Sequence, residues 1–306
     1  MTAPICRACG YADVRRIGRL PTTNYFAGRS LNNSLPATDL WFCPKCTLAF
    51  RHPLLGRAEY RALYEMGCLG LWDGQSGRED FRLIKDRVSG LAGQVIDVLD
   101  VGCYTGQLLL SLPKSFRLSG VEPNREAAQV ARSSGIEIVA DTVDGLGKVD
   151  RRFDIITACD VIEHVENPLE FLDWLARKLR VGGRLFVTTG NCDSWFWRVT
   201  GARSWYSYFA EHITFIGERW VRTMPTRVGL EQVELCRFNY LGENVGLTSK
   251  LSFLAAAGLY RLSPSLYRSL RNAVLPSVAE VIPRGCGATR DHMLFVLRHA
   301  GHPSGK

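Results

Sequence analysis

Four of the ten cysteines form two C-x-x-C pairs, Cys6/Cys9 and Cys43/Cys46, separated by 33 residues. Each pair can direct two thiolates at one ion, and two pairs complete a tetrahedral zinc site with four sulfur ligands. Because such a site has no open coordination position, we predict a structural zinc and not a catalytic one. A redox role for one C-x-x-C pair is the alternative.

A second group of residues, which could bind a ligand, follows a series of apolar segments. Gly102 and Gly106 allow the backbone to pass close to a ligand and to turn into a helix. The first amides of that helix attract an anionic group of the ligand. Tyr104 stands where a dinucleotide fingerprint needs its second glycine, which argues against a bound pyrophosphate. Glu122 lies 20 residues after Gly102, where a carboxylate can accept both hydroxyl protons of a ribose. Asp141 can accept from an adenine amino group or simply cap a helix.

Two segments offer a histidine next to a glutamate, Glu163-His164 and Glu211-His212. A neutral imidazole suits deprotonation of a hydroxyl or an activated carbon near pH 7. Glu211 and His212 need not touch, because adjacent side chains of an extended segment point in opposite directions. A merely packed or hydrogen-bonded His212 is the alternative to a general base.

These residues need a scaffold, and strand and helix patterns alternate from Val95 onward. The predicted strands are Val95–Val101, Arg117–Val121, Ile136–Ala140, Phe153–Cys159 and Arg184–Thr189. The predicted helices between them are Gln107–Leu112, Arg125–Ser133 and Asn167–Arg180, the last closed by Gly182-Gly183. The pattern predicts an α/β fold with a doubly wound, mostly parallel sheet and ligands at the carboxyl ends of its strands.

Four motifs, Val98–Gly106, Val121–Pro123, Phe153–Val165 and Leu179–Leu185, resemble the successive motifs of class I S-adenosylmethionine-dependent methyltransferases. The resemblance implies a Rossmann-like seven-stranded methyltransferase sheet whose last hairpin, Gly229–Phe238 with His292–His299, is reversed. It also implies a set of cofactor-binding residues: Gly102 and Gly106 at the methionine portion, Glu122 at the ribose, Asp141 and Thr142 at the adenine, Asp160 near the sulfonium, and Asp100. Glu163-His164 would shape the same pocket.

The segment Tyr206–Phe215, together with the cysteine pairs, resembles the zinc-containing sugar C-methyltransferases, which act on nucleotide-linked keto-sugars. Their Tyr-x-Glu-His motif supplies catalytic groups. Here Glu211 and His212 match that motif, while Phe209 replaces the tyrosine. The resemblance implies a set of substrate-binding residues, Asn24, Tyr64, His164 and Tyr208. Because the chain lacks their large C-terminal domain, the broader group of small-molecule and glycan methyltransferases, often O-specific, is the better match.

We therefore expect S-adenosylmethionine-dependent methyl transfer to a small anionic acceptor with His212 as general base. The acceptor would be a sugar, a nucleotide-sugar or another glycan-related molecule, either free or lipid-linked. The alternative is a zinc-ribbon protein that binds or methylates RNA. Spread-out basic residues and the lack of aromatic–basic interleaving at either C-x-x-C pair disfavour nucleic acid as a partner.

Charge and segment composition suggest a domain organisation. The net charge of +8 is concentrated in the flanks, with +5 in residues 1–93, −2 in 94–240 and +5 in 241–306, which favours an anionic partner. We predict a zinc module (1–55), connecting helices (56–93), a methyltransferase core (94–240 and 285–300) and a helical insertion (241–284). The insertion would form a lid, a homodimer contact or a peripheral membrane contact. No signal-type apolar segment is evident, so a cytoplasmic protein is expected.

Overall fold

The fold is described from a computed structural model of the chain. The structure describes residues 3–20, 22–27, 29–65, 77–239 and 290–300, with the isolated residues 255, 258, 259, 262, 263 and 266. The predicted insertion 241–284 lies almost entirely outside these ranges. Within them, no helix combines the length and apolarity that a membrane span requires.

The N-terminal residues form a small β module around the four cysteines. Its strands are β1 (Arg15–Arg19), β2 (Tyr25–Phe26), β3 (Arg29–Ser30), β4 (Asp39–Phe42) and β5 (Ala49–His52). Strands β1, β4 and β5 pair antiparallel, and β2 with β3 forms a separate hairpin in the long loop between the cysteine pairs. Gly10, which follows the first pair, has φ +70°, a left-handed conformation that glycine adopts without strain.

Two helices connect this module to the core, α1 (Arg57–Glu65) and α2 (Glu79–Val88), the second continued by a 3₁₀ turn at Ser89–Leu91. Both lie within residues 56–93, where connecting helices were predicted. The buried residues of α2 include Leu83, Ile84 and Val88, at the spacing of a single helix face, and they pack against the sheet of the core.

The core is a seven-stranded mixed sheet with one reversed strand. Its strands are β6 (Asp97–Val101), β7 (Arg117–Val121), β8 (Glu137–Ala140), β9 (Phe153–Cys159), β10 (Leu179–Gly190), β12 (Leu230–Phe238) and β13 (His292–His299). They lie in the order β12-β13-β10-β9-β6-β7-β8, and β13 is antiparallel to both of its neighbours. This confirms the predicted methyltransferase-type sheet.

Helices cover the sheet and turn the chain between strands. They are α3 (Gln107–Leu110), α4 (Arg125–Ser133), α5 (Pro168–Lys178), α6 (Trp195–Thr200), α7 (Trp205–Tyr208) and α8 (Glu218–Thr223). Local sequence explains the helix starts: the side chain of Asn124 accepts from the amide of Ala127 (3.0 Å) at α4, and Asn167 caps α5 just before Pro168.

A short strand, β11 (Thr214–Phe215), extends the sheet of the cysteine module into the core. It pairs antiparallel with β5, so the four-stranded sheet has the order β1-β4-β5-β11. Residues from both parts of the chain, among them Leu40, Ala49, Phe196 and Phe215, share one buried cluster. The predicted zinc module is therefore joined to the core by strand pairing as well as by side-chain packing.

Two predicted features differ in the structure by more than one or two residues at an element end. The fifth core strand begins at Leu179 and not at Arg184, so Gly182-Gly183 lies inside β10 and α5 ends at Lys178. Gly183 permits this path because a Cβ there would lie 2.9 Å from the carbonyl oxygens of Arg180 and Asp154. In addition, residues 206–215 are not extended throughout: α7 opens the segment, and Ala210 and Glu211 form a turn.

Candidate active site

In open α/β sheets the crevice that takes a ligand lies outside the carboxyl ends of the parallel strands, and here that edge includes bare backbone. Gly102, directly after β6, has φ +76°, and a Cβ there would lie 2.7 Å from the side chain of Val161. Gly106, at the start of α3, has φ +87°, and its Cβ would lie 2.0 Å from Ile136. Gly102 is exposed, so a ligand can approach its backbone, whereas Gly106 is buried and is required where α3 packs against Ile136.

Glu122 lies at the end of β7 with 6% of its surface exposed. One carboxylate oxygen accepts from the amide of Tyr104 and the other from the amide of Asn124, both at 2.8 Å. Burial raises the pKa of Glu122, and the two amide hydrogen bonds oppose that shift. A carboxylate has about four acceptor positions, so each oxygen retains the capacity to accept another donor.

Asp100 and Asp160 differ in their surroundings. Asp100 is buried on β6, where it accepts from the hydroxyl of Thr157 (2.6 Å), and burial raises its pKa to about 7. Asp160 follows β9 with φ +53°. Its Oδ1 is buried and has no hydrogen-bond partner in the described part of the chain, and burial raises its pKa to about 6. An orphaned carboxylate oxygen beside bare backbone fits a ligand that carries positive charge or a polar hydrogen.

Arg78 is a crevice residue that sequence reasoning missed. Its Nη2 lies 2.5 Å from Oδ2 of Asp80 and 2.8 Å from Oδ2 of Asp160, and its side chain is only 14% exposed. The guanidinium therefore links the start of α2 to the end of β9. A single arginine in a connecting segment has no local pattern that would have identified it.

Asp141 and Thr142 follow β8 and are exposed. Thr142, not Asp141, occupies the N-terminal cap position of the 3₁₀ turn Val143–Lys148, and no side-chain hydrogen bond caps that turn. The helix-cap alternative for Asp141 is therefore wrong. Both side chains remain accessible at the edge of the sheet next to Glu122.

A second cluster lies where the segment after α7 meets the end of β9 and α1. Nδ1 of His164 is 3.0 Å from both the hydroxyl of Tyr64 and the carbonyl oxygen of Glu211. The rings of His164 and His212 meet edge to face, with centroids 5.0 Å apart. The structure thus brings together four of the residues predicted for the acceptor side, Tyr64, His164, Glu211 and His212.

The environment of His212 defines its tautomer. Nδ1 lies 2.9 Å from the carbonyl oxygen of Tyr206, which can only accept, so Nδ1 carries the proton and Nε2 has the free lone pair. Burial lowers the pKa of His212 well below its usual value, which keeps the ring neutral at pH 7. Burial also lowers the pKa of His164.

The side chain of Glu211 forms no hydrogen bond with His212. One carboxylate oxygen accepts from the amide of Ala27 (3.1 Å), next to the β2–β3 hairpin. The other oxygen is buried without a partner among the described residues, and burial raises the pKa of this carboxyl. Glu211 therefore faces the N-terminal module with one unsatisfied oxygen.

Glu163 is fully buried below the two histidines. It accepts hydrogen bonds from the hydroxyls of Tyr206 and Thr189 (2.9 Å for Thr189), and potential ligand atoms of Glu163, His164 and His212 lie within 4.8 Å of one another. Because both carboxylate oxygens already accept hydroxyl donors, we interpret this group as a hydrogen-bond network. Tyr206, whose ring centroid is 4.2 Å from that of His212, is a second residue that sequence reasoning missed.

The structure brings no support for Asn24 in this cluster and does not describe the side chain of Tyr208. Asn24 is exposed, and its carbonyl oxygen accepts from the amide of Leu31 (2.5 Å). The side chain of Tyr208 lies outside the described part of the chain.

The four predicted metal ligands converge in the N-terminal module. The Sγ atoms of Cys6 and Cys46 are 3.5 Å apart, those of Cys9 and Cys43 are 3.6 Å apart, and all four lie within 4.8 Å of one another. Sulfur atoms bound tetrahedrally at about 2.3 Å from one zinc ion have comparable separations. This donor set fits zinc.

The reversed strand and the carboxylates at the strand ends define a methyltransferase domain of the S-adenosylmethionine-dependent class. A family model described as "Methyltransferase domain" matches residues 76–235, just over half of the chain, and the chain belongs to this family.

Curated relatives include the ubiquinone biosynthesis O-methyltransferases of Proteus mirabilis (32% identical) and Klebsiella pneumoniae (34%), each over 129 residues. These matches cover 39% of this chain, and the chain spans about half the length of the relatives, 52% in both cases.

Similar solved structures include a possible histamine N-methyltransferase from Thermotoga maritima (18% identity, TM-score 0.45, 72% of this chain and 89% of that one). Another is an S-adenosylmethionine-dependent methyltransferase from Clostridium acetobutylicum (13% identity, TM-score 0.46, 80% of this chain and 99% of that one).

Proposed function

We propose that this protein transfers the methyl group of S-adenosylmethionine to a hydroxyl of a small anionic acceptor, a sugar or another glycan-related molecule. The observation that carries the proposal is the carboxylate of Glu122, held at the end of β7 by two main-chain amides with acceptor capacity left over. The bound donor would supply an activated methyl group. The chain then has to bind the acceptor, align its hydroxyl with that methyl group and remove the hydroxyl proton.

On the donor side, Glu122 would accept both ribose hydroxyls. Gly102 would allow the methionine portion to approach the backbone, and the exposed Asp141 and Thr142 would contact the adenine. The orphaned oxygen of Asp160 would face the positively charged sulfonium side, while Arg78 keeps the second oxygen occupied.

On the acceptor side, Nε2 of His212 would remove the proton of the attacking hydroxyl. The bond from Nδ1 to the carbonyl of Tyr206 supports this role, because it holds the neutral tautomer with its lone pair on Nε2. The unsatisfied oxygen of Glu211 and the hydroxyl of Tyr64 would orient the acceptor. His164 would position Tyr64, to which it is hydrogen-bonded.

Three observations support the class of acceptor. The basic excess lies in the flanking segments, which favours an anionic molecule. A cavity lined by Thr23, Thr38, Tyr60 and Ala210 opens between the N-terminal module and the segment of Glu211. Curated relatives of the domain are O-methyltransferases by name, which favours a hydroxyl as the nucleophile and makes a phenol the natural competitor of a sugar hydroxyl.

We also propose that the four cysteines hold one structural zinc ion. Metal content per chain is the test, and Cys6→Ser should remove the bound zinc. Cys236→Ser changes a half-buried cysteine outside the cluster and serves as the matched control. Equal zinc content in both variants would refute the assignment.

Calorimetric titration with S-adenosylhomocysteine tests the donor site. We expect Glu122→Gln to weaken binding at least tenfold, because the amide group replaces one ribose acceptor by a donor. Glu126→Gln, four residues along the chain on the exposed side of α4, should bind like the wild type. No binding to the wild type, or no difference between these variants, would reject the proposal.

The acceptor class is tested by methyl transfer from radiolabelled S-adenosylmethionine to a panel of nucleotide sugars and to a catechol. Transfer to a nucleotide sugar that is lost in His212→Gln supports the proposal. Transfer to the catechol alone would replace the sugar by a phenolic acceptor.

A further inference from the structure

Arg51 is a buried guanidinium on β5 with 4% of its surface exposed. Its Nε donates to the carbonyl oxygen of His212 (3.1 Å), and its Nη2 donates to the carbonyl oxygens of Ser207 (2.8 Å) and Phe209 (3.0 Å). Its Nη1 donates to the hydroxyl of Thr38 (2.7 Å). One side chain of the cysteine module therefore holds three main-chain carbonyls of a single short segment.

The location of these acceptors explains why a charged donor is buried here. Ser207 and Phe209 lie at the C-terminal end of α7, where helix carbonyls have no partner within the helix and attract a cation. Among the described residues, no carboxylate forms an ion pair with Arg51. Burial lowers the pKa of Arg51 to about 10, so the guanidinium is still charged at pH 7. Its planar donors match several carbonyl oxygens at once.

The arginine is tied to the cysteine cluster by a short, rigid path. Cys46 precedes the start of β5 by three residues, and β5 pairs with β11 through Phe50↔Thr214 and Ala49↔Phe215. The amide of Arg51 also donates to the carbonyl of Ile213 (2.8 Å). Strand β5 therefore contacts residues 207–215 in two ways, by pairing with β11 and through the guanidinium of Arg51.

We propose that Arg51 is a positioning residue through which the metal-loaded cysteine module fixes the main chain from Ser207 to His212. The ring of His212 is oriented by its bond to the carbonyl of Tyr206, so its direction depends on the path of this main chain. The inference rests on the proposed role of His212 as general base. It adds that the cysteine module, through Arg51, controls the tautomer and direction of that base.

The experiment uses the full chain, zinc-loaded and labelled with ¹⁵N in its histidine rings and main chain. We compare Arg51→Met and Arg51→Lys with Arg16→Met, a matched control on β1 whose half-exposed guanidinium pairs with Asp39. The readouts are the nitrogen signature of the His212 ring, the hydrogen exchange of the His212 amide, zinc content and S-adenosylhomocysteine affinity.

We expect Arg51→Met to retain zinc and to bind S-adenosylhomocysteine within twofold of the wild type. The His212 amide, which donates to the carbonyl of Phe209, should exchange at least tenfold faster, and its ring should become a mixture of tautomers. Arg51→Lys should be intermediate, because an ammonium cannot span the carbonyls. Arg16→Met should match the wild type.

An unchanged ring signature and unchanged exchange in Arg51→Met would overturn the proposal. If that variant fails to fold, hydrogen exchange is measured instead on wild-type protein from which a chelator has removed the metal. Exchange should then rise across residues 207–213 while the amides of α4 stay protected, and uniform or absent changes would overturn the proposal. Failure of the wild type to bind S-adenosylhomocysteine would instead refute the proposed function and leave the Arg51 result interpretable.

Discussion

The phenol of Tyr206 donates a hydrogen bond to the buried carboxylate of Glu163 and accepts one from the amide of Gly190 (2.9 Å). This single hydroxyl joins α7 to the 3₁₀ turn Ile162–His164, which follows β9, and to the end of β10. Because the Tyr206 ring also packs on His212, the Glu163–Tyr206 pair supports the candidate base from the side of the sheet.

Replacing Tyr206 by phenylalanine should therefore destabilise the protein by about 2–3 kcal/mol, since the Gly190 amide and Glu163 each lose a buried partner. Urea denaturation measures this loss. Tyr11→Phe, at a half-buried tyrosine of the cysteine module, should change the free energy of unfolding by less than about 0.5 kcal/mol. Equal effects in the two variants would mean that the Tyr206 hydroxyl contributes nothing specific.

Arg78 and Arg82 offer a matched pair of ion-pair deletions near the start of α2. Arg78→Met leaves the buried Asp80 and the crevice residue Asp160 without their cation, which should cost about 3–5 kcal/mol. Arg82→Met removes exposed pairs with Glu79 and Asp86 and should cost no more than about 1 kcal/mol. Thermal or urea unfolding decides, and a smaller effect for Arg78→Met than for Arg82→Met would contradict the buried network.

Gly106 and Gly135 share φ +87° but differ in the space around them. A Cβ at Gly106 would lie 2.0 Å from Ile136, whereas nothing lies within 4 Å of a Cβ at Gly135. Gly135→Ala should cost about 1–2 kcal/mol of backbone strain, and Gly106→Ala should add about 1–3 kcal/mol of overpacking. Free energies of unfolding that are equal for the two variants would show that packing does not require Gly106.

Asp100 should make stability depend on pH. Its folded-state pKa of about 7 exceeds the usual value for an aspartate, so the folded state binds more protons than the unfolded state between about pH 4 and 7. The stabilisation from this proton is present at low pH and is lost as the pH rises through about 7.

We therefore expect Asp100→Asn to gain stability relative to the wild type between pH 4.5 and 8, by no more than about 4 kcal/mol. The asparagine oxygen can still accept from Thr157, so the hydrogen bond is conserved. Urea denaturation at several pH values is the measurement, with Asp144→Asn at an exposed position as the control. Parallel stability curves for the wild type and Asp100→Asn would contradict the raised pKa.

The core sheet was predictable because strand and helix patterns alternate along the chain and because β6 to β9 are each followed by a glycine or an acidic residue. The position of Glu122 directly after β7 and the convergence of the cysteine pairs were predictable because their spacing along the chain is itself the signal. The predicted boundaries of helices and strands were wrong where backbone contacts between distant segments determine them. Gly182-Gly183 has the composition of a helix end, but the approach to Asp154 places it inside β10.

The residues that sequence reasoning missed act through partners far away in the chain. Arg78 meets Asp160 across 82 residues, and Arg51 meets the Ser207 carbonyl across 156. No local spacing encodes such pairs, because they arise only when β5, α2 and β9 are assembled. Tyr206 was missed for a related reason: the short helix α7 brings its ring onto His212, six residues further along.

The pairing of β5 with β11 limits how this chain can be recombined with others. A chimera that took residues 1–55 from an unrelated metal-binding protein would leave the short strand β11 with an open edge and the carbonyls after α7 without their donor. Swapping the acceptor-side segment alone would break the same interface from the other direction. The two parts must therefore be exchanged together, and variants of one should be tolerated only in the background of the matching other.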